Sequence, residues 1–167
     1  MIAKITRGSR PGDLAAYLHG PGRANEHTYG QRQGGAVIGG NLGMDGDRDG
    51  ARWAVELRAA AQSRPEISNP IWHASLRCAP GDRTLSDREW ADAAQVFAER
   101  MGYAEHPWVV VRHGADHVHI AMSRVSYTGQ VWHGRNDRRQ AQAARAELEV
   151  SYGCARAWLR AGPRITR

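Results

Sequence analysis

Three histidines fall within seven residues, His113, His117 and His119, in the run Val110-Val111-Arg112-His113-Gly114-Ala115-Asp116-His117-Val118-His119-Ile120. Trp108 to Val111 is apolar and β-branched, and His117 to Val125 alternates in character, so both stretches read as strands. A strand repeats every two residues, so His117 and His119 share one face while Val118, Ile120 and Met122 point into a core. Paired imidazoles are poor core material because each ring needs polar partners. One histidine in such a place is usually a satisfied sheet residue. Three of them, with Asp116 in their midst, read as the ligands of a metal ion, His113 completing a facial trio from the end of the adjoining strand or turn. Imidazole ligands suit zinc, manganese, iron and copper alike, so the trio does not name the ion.

Around this strand the pattern alternates between β and α. Ile2 to Thr6 is a short candidate strand ending in the turn Gly8-Ser9-Arg10-Pro11-Gly12, and Asp13 to His19 reads as a helix that stops at Gly20-Pro21-Gly22. Eight glycines lie between Gly30 and Gly50, which predicts a loop around one strand at 36–38. Asp49 to Gln62 is a helix with Trp53, Leu57 and Ala60 on one face. Ile71 to Cys78 is a strand: Trp72, Ala74, Leu76 and Cys78 form its apolar face, and His73, Ser75 and Arg77 its polar one. If this strand and the histidine strand share a sheet, that polar face carries His117 and His119. Ser86-Asp87-Arg88-Glu89 has the spacing of a capping box and opens a helix whose apolar stripe is Trp90, Ala94, Phe97 and Met101. A turn at Thr128-Gly129-Gln130 predicts a hairpin, and Arg138 to Tyr152 a further helix. The expected fold is α+β: an antiparallel-rich central sheet, with helices packed on one face and the other face, with its histidines, left open to solvent or ligand.

The 167 residues suit a single domain over 1–167. The sequence contains no apolar run of transmembrane length and opens with no signal-like segment, so the expected setting is the cytoplasm, without membrane insertion. Cys78 and Cys154 match no zinc-finger spacing and read as ordinary buried thiols. The net charge is +6, and Lys4 is the only lysine among 23 basic residues. Eight arginines (135, 138, 139, 145, 156, 160, 164 and 167) follow Thr128, against Asp137, Glu147 and Glu149. This balance points to a polyanionic partner, nucleic acid first. Arg135, Arg138 and Arg139 stand beside Trp132 and His133, a basic cluster with an aromatic ring suited to a DNA backbone and a stacked base.

Three blocks resemble the relaxases, plasmid mobilisation nucleases of the HUH endonuclease superfamily. They are Leu14 to His27 with Tyr17; Ile71-Trp72-His73-Ala74-Ser75-Leu76-Arg77 followed by the Leu85-to-Trp90 helix start; and Arg112 to Val125 with its His-hydrophobic-His core. In one respect the chain departs: His113 stands four residues before His117, where the common motif has five. The resemblance implies site- and strand-specific nicking and rejoining of single-stranded or hairpin DNA at a transfer origin, through a 5′-phosphotyrosine. It implies Tyr17 as nucleophile, with Tyr29 the alternative in the glycine-rich loop and His19 or His27 in relaxases that use histidine. His113, His117 and His119 would hold manganese or magnesium, or zinc. Asp116 would either orient a ligand histidine or accept the phenolic proton; Glu26 would support the site or be a solvated loop charge; His73 and Arg77 would line it, Arg77 toward DNA. Accessory relaxosome proteins are implied partners, and the domain is either a minimal enzyme or trimmed from a longer one.

Three rival functions fit parts of the sequence. A rolling-circle initiator would place its tyrosine after the histidine strand with a lysine one helical turn away, and neither Tyr127 nor Tyr152 has such a lysine. A metal-dependent hydrolase of small substrates leaves the basic C-terminal region unexplained. A non-catalytic DNA-binding module with a structural metal would be expected to have four ligands, often including cysteine.

Overall fold

The computed structural model describes residues 1–154. In chain order the elements are β1 (Ile2–Gly8), α1 (Pro11–His19), β2 (Thr28–Tyr29), β3 (Arg32–Gln33), β4 (Ala36–Gly40), α2 (Ala51–Gln62), β5 (Ile71–Arg77), α3 (Asp87–Met101), β6 (Trp108–Arg112), β7 (His117–Ser123) and α4 (Asp137–Ser151). β1, β5, β7, β6 and β4 form one five-stranded sheet in that order, and every neighbouring pair is antiparallel. The fold is α+β, as the alternating patterns predict. Arg156, Arg160, Arg164 and Arg167 of the basic stretch lie outside the described residues.

Period-two alternation divides the sheet into two faces. Trp72, Ala74 and Leu76 of β5, Val110 of β6, and Val118, Ile120 and Met122 of β7 pack against Trp90, Phe97 and Met101 of α3 and Leu148 of α4. All seven strand residues are fully buried. Ser86 starts α3 with a capping box: its Oγ accepts from the Glu89 amide at 3.2 Å, and Glu89 Oε2 accepts from the Ser86 amide at 2.8 Å.

The opposite face is only half open. Leu18 of α1 and Trp53 and Leu57 of α2 cover Ile71, Val109, Val111 and Ala121, so the helices are not confined to one side of the sheet. The reason lies in the composition of the strands. At that end the second face is also apolar, whereas His73, Ser75, Arg77, His117 and His119 at the other end cannot be buried under hydrocarbon without polar partners. The boundary between these two halves is where the site lies.

Several boundaries differ by a few residues from the sequence expectation. α2 starts at Ala51 because Gly50 has φ +75°, outside the helical region, and Asp49 Oδ1 accepts the Ala51 amide at 2.7 Å. The glycine-rich loop holds the small hairpin β2–β3 besides the expected strand. The hairpin at 128–130 reduces to one bridge, Val125 with Val131. Cys78 and Cys154 are buried and free, and burial pushes the Cys78 thiol up to about 12.

Candidate metal and DNA-cleavage site

β7 pairs with β5 so that His119 faces Ser75 and His117 faces Arg77. His113 stands just past the end of β6, and its ring lies 4.4 Å from that of His119 and 4.7 Å from that of His117 between centroids. One ring nitrogen from each of the three falls within 4.8 Å of the others. The trio expected from sequence therefore converges, His113 arriving from the strand end. Gly114 makes room for it, since a Cβ there would lie 2.7 Å from Cε1 of His117.

The hydrogen bonds select the tautomer of His117 and orient the ring of His119. Nδ1 of His117 lies 2.6 Å from Asp116 Oδ1 and 3.3 Å from Arg77 Nη2. Only the carboxylate can accept, so Nδ1 carries the proton and Nε2 is left with its lone pair. Nδ1 of His119 lies 2.7 Å from Nε2 of His73, whose own Nδ1 lies 3.1 Å from Thr6 Oγ1. Both nitrogens of His113 and Nε2 of His119 are buried with no partner. Orphaned buried nitrogens cost about 1–3 kcal/mol each unless something binds them, and an ion held by three imidazoles is what this set fits.

Electrostatics point the same way. Burial, with the neighbouring imidazoles, holds His119 far below its ordinary value and His113 at about 3. Burial lowers His117 against the opposing pull of Asp116, and burial with Lys4 lowers His73 to about 4. All four rings are neutral at pH 7, the state metal ligation needs. Burial works to raise the Asp116 carboxyl, but its bond to His117 and the Arg77 guanidinium outweigh this, so it stays ionised. Asp116 Oδ2 lies 3.3 Å from Arg77 Nη1.

The three histidines open onto a cavity of about 610 Å³, lined also by Lys4, Thr6, Tyr17, Glu26, His73 and Arg77. Tyr17 is 43 % exposed, while Leu18 beside it is fully buried; α1 turns the phenol toward the cavity, away from the helix's apolar stripe. Its ring centroid is 4.9 Å from that of His27 and 6.4 Å from that of His113. His27 is buried and stacks on His113 with centroids 3.8 Å apart. Its Nδ1–H points at the carbonyls of Tyr17 and Gly20, at 3.1 and 3.2 Å, and so caps the end of α1. Glu26 Oε1 is 3.6 Å from Nε2 of His27, and Oε2 accepts from the Ala24 amide at 2.7 Å.

Five residues singled out in the sequence stand apart from this cavity. The Tyr29 hydroxyl donates to Asp87, and the ring lies between Arg48 and Arg112 at 5.5 and 5.9 Å. His19 accepts from the Trp53 indole at 2.9 Å through Nε2 and donates to the Gly35 carbonyl at 2.9 Å through Nδ1. Trp132, read as a base-stacking ring, is half-buried instead: it packs on Trp72 and Tyr103, and its indole N–H donates to the Met101 carbonyl at 2.8 Å. Arg135 and Arg139 are exposed at the start of α4.

The sequence reading missed Arg112, which fixes the ligand turn. Its guanidinium donates to the Gly114 and Ala115 carbonyls at 3.0 and 2.8 Å and pairs with Asp87 at 2.6 Å. A lone charge at the end of the apolar run Val109-Val110-Val111 was the available signal. Lys4 and Thr6 were also missed, although Lys4 and Thr6 alternate with Ala3 and Ile5 along β1.

No helix among the described residues is long and apolar enough to cross a membrane. No curated protein and no solved structure matches the chain. Residues 23–154 match the family described as Relaxase: MobA/VirD2-like, nuclease domain; the matched span begins six residues after Tyr17. A sheet that gathers three histidines with converging ring nitrogens in one cavity accords with that match, and the chain belongs to the MobA/VirD2-like relaxase nuclease family.

Proposed function

We propose that the protein is a DNA relaxase that nicks and rejoins one strand at a plasmid transfer origin, with Tyr17 as its nucleophile. The observation that carries this reading is the half-exposed Tyr17 phenol on the same cavity as His113, His117 and His119. In the forward step the Tyr17 oxygen attacks phosphorus and loses its proton. The bond to the 3′-oxygen breaks, leaving a 5′-phosphotyrosine and a strand whose 3′-oxygen takes up a proton. Attack by that 3′-hydroxyl reverses the step and reseals the DNA. A phenol is a weak nucleophile at neutral pH, its ordinary pKa being about 10, so holding phosphorus in line with it is the protein's main contribution. His113, His117 and His119 would hold a divalent ion (manganese or magnesium, or zinc), which would supply charge neutralisation for the phosphate. Asp116 and His73 orient His117 and His119, and Arg77 offers a phosphate contact at the rim. Arg135, Arg138 and Arg139 extend the basic surface, and accessory relaxosome proteins are the expected partners in the cytoplasm.

A rolling-circle initiator would need a downstream tyrosine in the cavity. Tyr127 is bonded to Glu56, and neither it nor Tyr152 lines the cavity. The reading is tested by incubating the protein with manganese and single-stranded DNA from a cognate origin, then locating the covalent adduct by mass spectrometry. Wild type gives an adduct at Tyr17 and Tyr17→Phe gives none while still binding the DNA. An adduct that persists in Tyr17→Phe rejects the assignment.

A further inference from the structure

β1 ends the sheet on one side, and its open edge carries a second hollow. This groove, about 300 Å³, runs between β1 and α4 and is lined by Ala3, Lys4, Ile5, Arg138, Ala141 and Gln142. Lys4 belongs to the groove and to the histidine cavity alike. The alternation along β1 explains how. Ala3 and Ile5 pack toward the core under α4, Lys4 and Thr6 border the cavity on the other face, and among the described residues no further strand separates the two hollows.

Among the described residues, Lys4 and Arg138 of this edge form no ion pair. No carboxylate lines the groove. Most arginines near the site are engaged: Arg7 with Asp137, Arg77 with Asp116, Arg112 with Asp87, Arg145 with Glu149. Asp137, the acid next to Arg138, is taken by Arg7 and the Trp72 indole. Two cations that line one short groove, neither in an ion pair among the described residues, match a chain of phosphates. Lys4 is also the only lysine in the protein. A compact ammonium on a four-carbon stem can follow a phosphate around a bend, where a planar guanidinium demands a fixed approach. The groove presents aliphatic and amide groups and no aromatic ring, so it would hold the backbone and leave the bases unread.

We propose that single-stranded DNA leaving the histidine cavity crosses β1 at Lys4 and continues in the groove beside α4, with Lys4 and Arg138 each holding a backbone phosphate. The proposal rests on the DNA-nicking reading and adds a path to it. The plain alternative is that Lys4 is an edge-strand charge that discourages sheet-to-sheet association.

Oligothymidylates of about 4 and about 20 nucleotides distinguish the two, titrated by fluorescence anisotropy over a salt series with wild type, Lys4→Gln, Lys4→Arg and Arg138→Gln. Each lost phosphate contact lowers the log–log salt slope by about 0.7. Lys4→Gln is expected to lower the slope on both lengths, since Lys4 borders the cavity. Arg138→Gln is expected to lower it only on the longer strand, which alone reaches the groove, and Lys4→Arg to retain most of it. Unchanged slopes in both Gln variants, with wild type binding normally, overturn the path and leave the nicking reading standing. Equal losses for Arg138→Gln on both lengths also overturn it, because they report a general attraction and no track. Self-association of Lys4→Gln with an unchanged slope favours the edge-charge role. If wild type shows no salt-dependent binding to the longer strand, the path is overturned, while the DNA-nicking reading is decided by the adduct experiment on origin DNA.

Discussion

Nε2 of His73 lies 2.7 Å from Nδ1 of His119, a hydrogen bond that holds the His119 ring and leaves its Nε2 without a partner. Outer partners of metal-bound histidines typically contribute 10–100-fold in affinity. His73→Ala is therefore expected to weaken manganese binding by that order in a calorimetric titration. His73→Asn, whose amide can still form a hydrogen bond, should recover part of it. Wild-type affinity in the alanine variant would remove His73 from the ligand-orienting role.

Deleting the ligands should cost the metal-free protein little. His113 and His119 have buried nitrogens with no partner, so removing one relieves a desolvation penalty of about 1–3 kcal/mol while sacrificing some packing. The melting temperature of metal-free His119→Ala is expected to equal or exceed that of wild type. Excess manganese should raise wild type, by about 2.7 kcal/mol at a hundredfold excess over its dissociation constant, and leave the His117→Ala, His119→Ala double variant unmoved. A collapse of the metal-free variant on melting would show that the imidazoles are structural.

His19 makes stability fall on the acid side. Burial lowers its pKa, against the opposing Gly35 carbonyl and the charges of Asp47 and Asp49. Between that lowered value and the unfolded value of about 6.5, the unfolded chain binds the extra proton. This contribution is complete above pH 6.5 and is lost as pH drops through the window below it, because a proton on Nε2 displaces the Trp53 indole. His19→Gln keeps a donor and an acceptor without titrating. Its melting temperature should decline less steeply than wild type's from pH 7 to pH 5; parallel curves would refute the mechanism.

Tyr29 and Tyr17 should fail in opposite ways. The Tyr29 hydroxyl is bonded to Asp87, which also pairs with Arg112, so Tyr29→Phe loosens the clamp on the ligand turn. A loss of about 1–2 kcal/mol of stability is expected, the range for a hydrogen bond to a charged partner at a partly exposed site, with the DNA adduct retained. Tyr17→Phe should melt like wild type and form no adduct. Loss of the adduct in Tyr29→Phe at full stability would transfer the chemistry to the β2–β3 hairpin.

Those features written as local repeats were legible in the sequence. β5 and β7 follow from strict alternation, α3 from its capping box and apolar stripe, and the convergence of His113 with His117 and His119 from strand ends that must meet. Other features depend on residues distant in sequence. Trp132 beside three arginines resembles a base-stacking ring, yet its neighbours Trp72 and Tyr103 lie far upstream. An apolar stripe on α1 or α2 does not say which face of a sheet it will cover. The two-residue strands β2 and β3 are too short to show a period, and Arg112 gains its meaning only from carbonyls and a carboxylate that the fold brings to it.

β7 is the middle strand of the five, paired along both edges. Its backbone therefore belongs to the last part of the protein to exchange its amides, and opening there amounts to unfolding the sheet. His117 and His119 ride on that strand, so no local breathing can carry them apart. His113 is the exception, standing on a turn that is pinned by one guanidinium. Capture and release of an ion would then be governed by a single hinge at His113, and the lifetime of the loaded state would be set by how long Arg112 keeps hold of the Gly114 and Ala115 carbonyls.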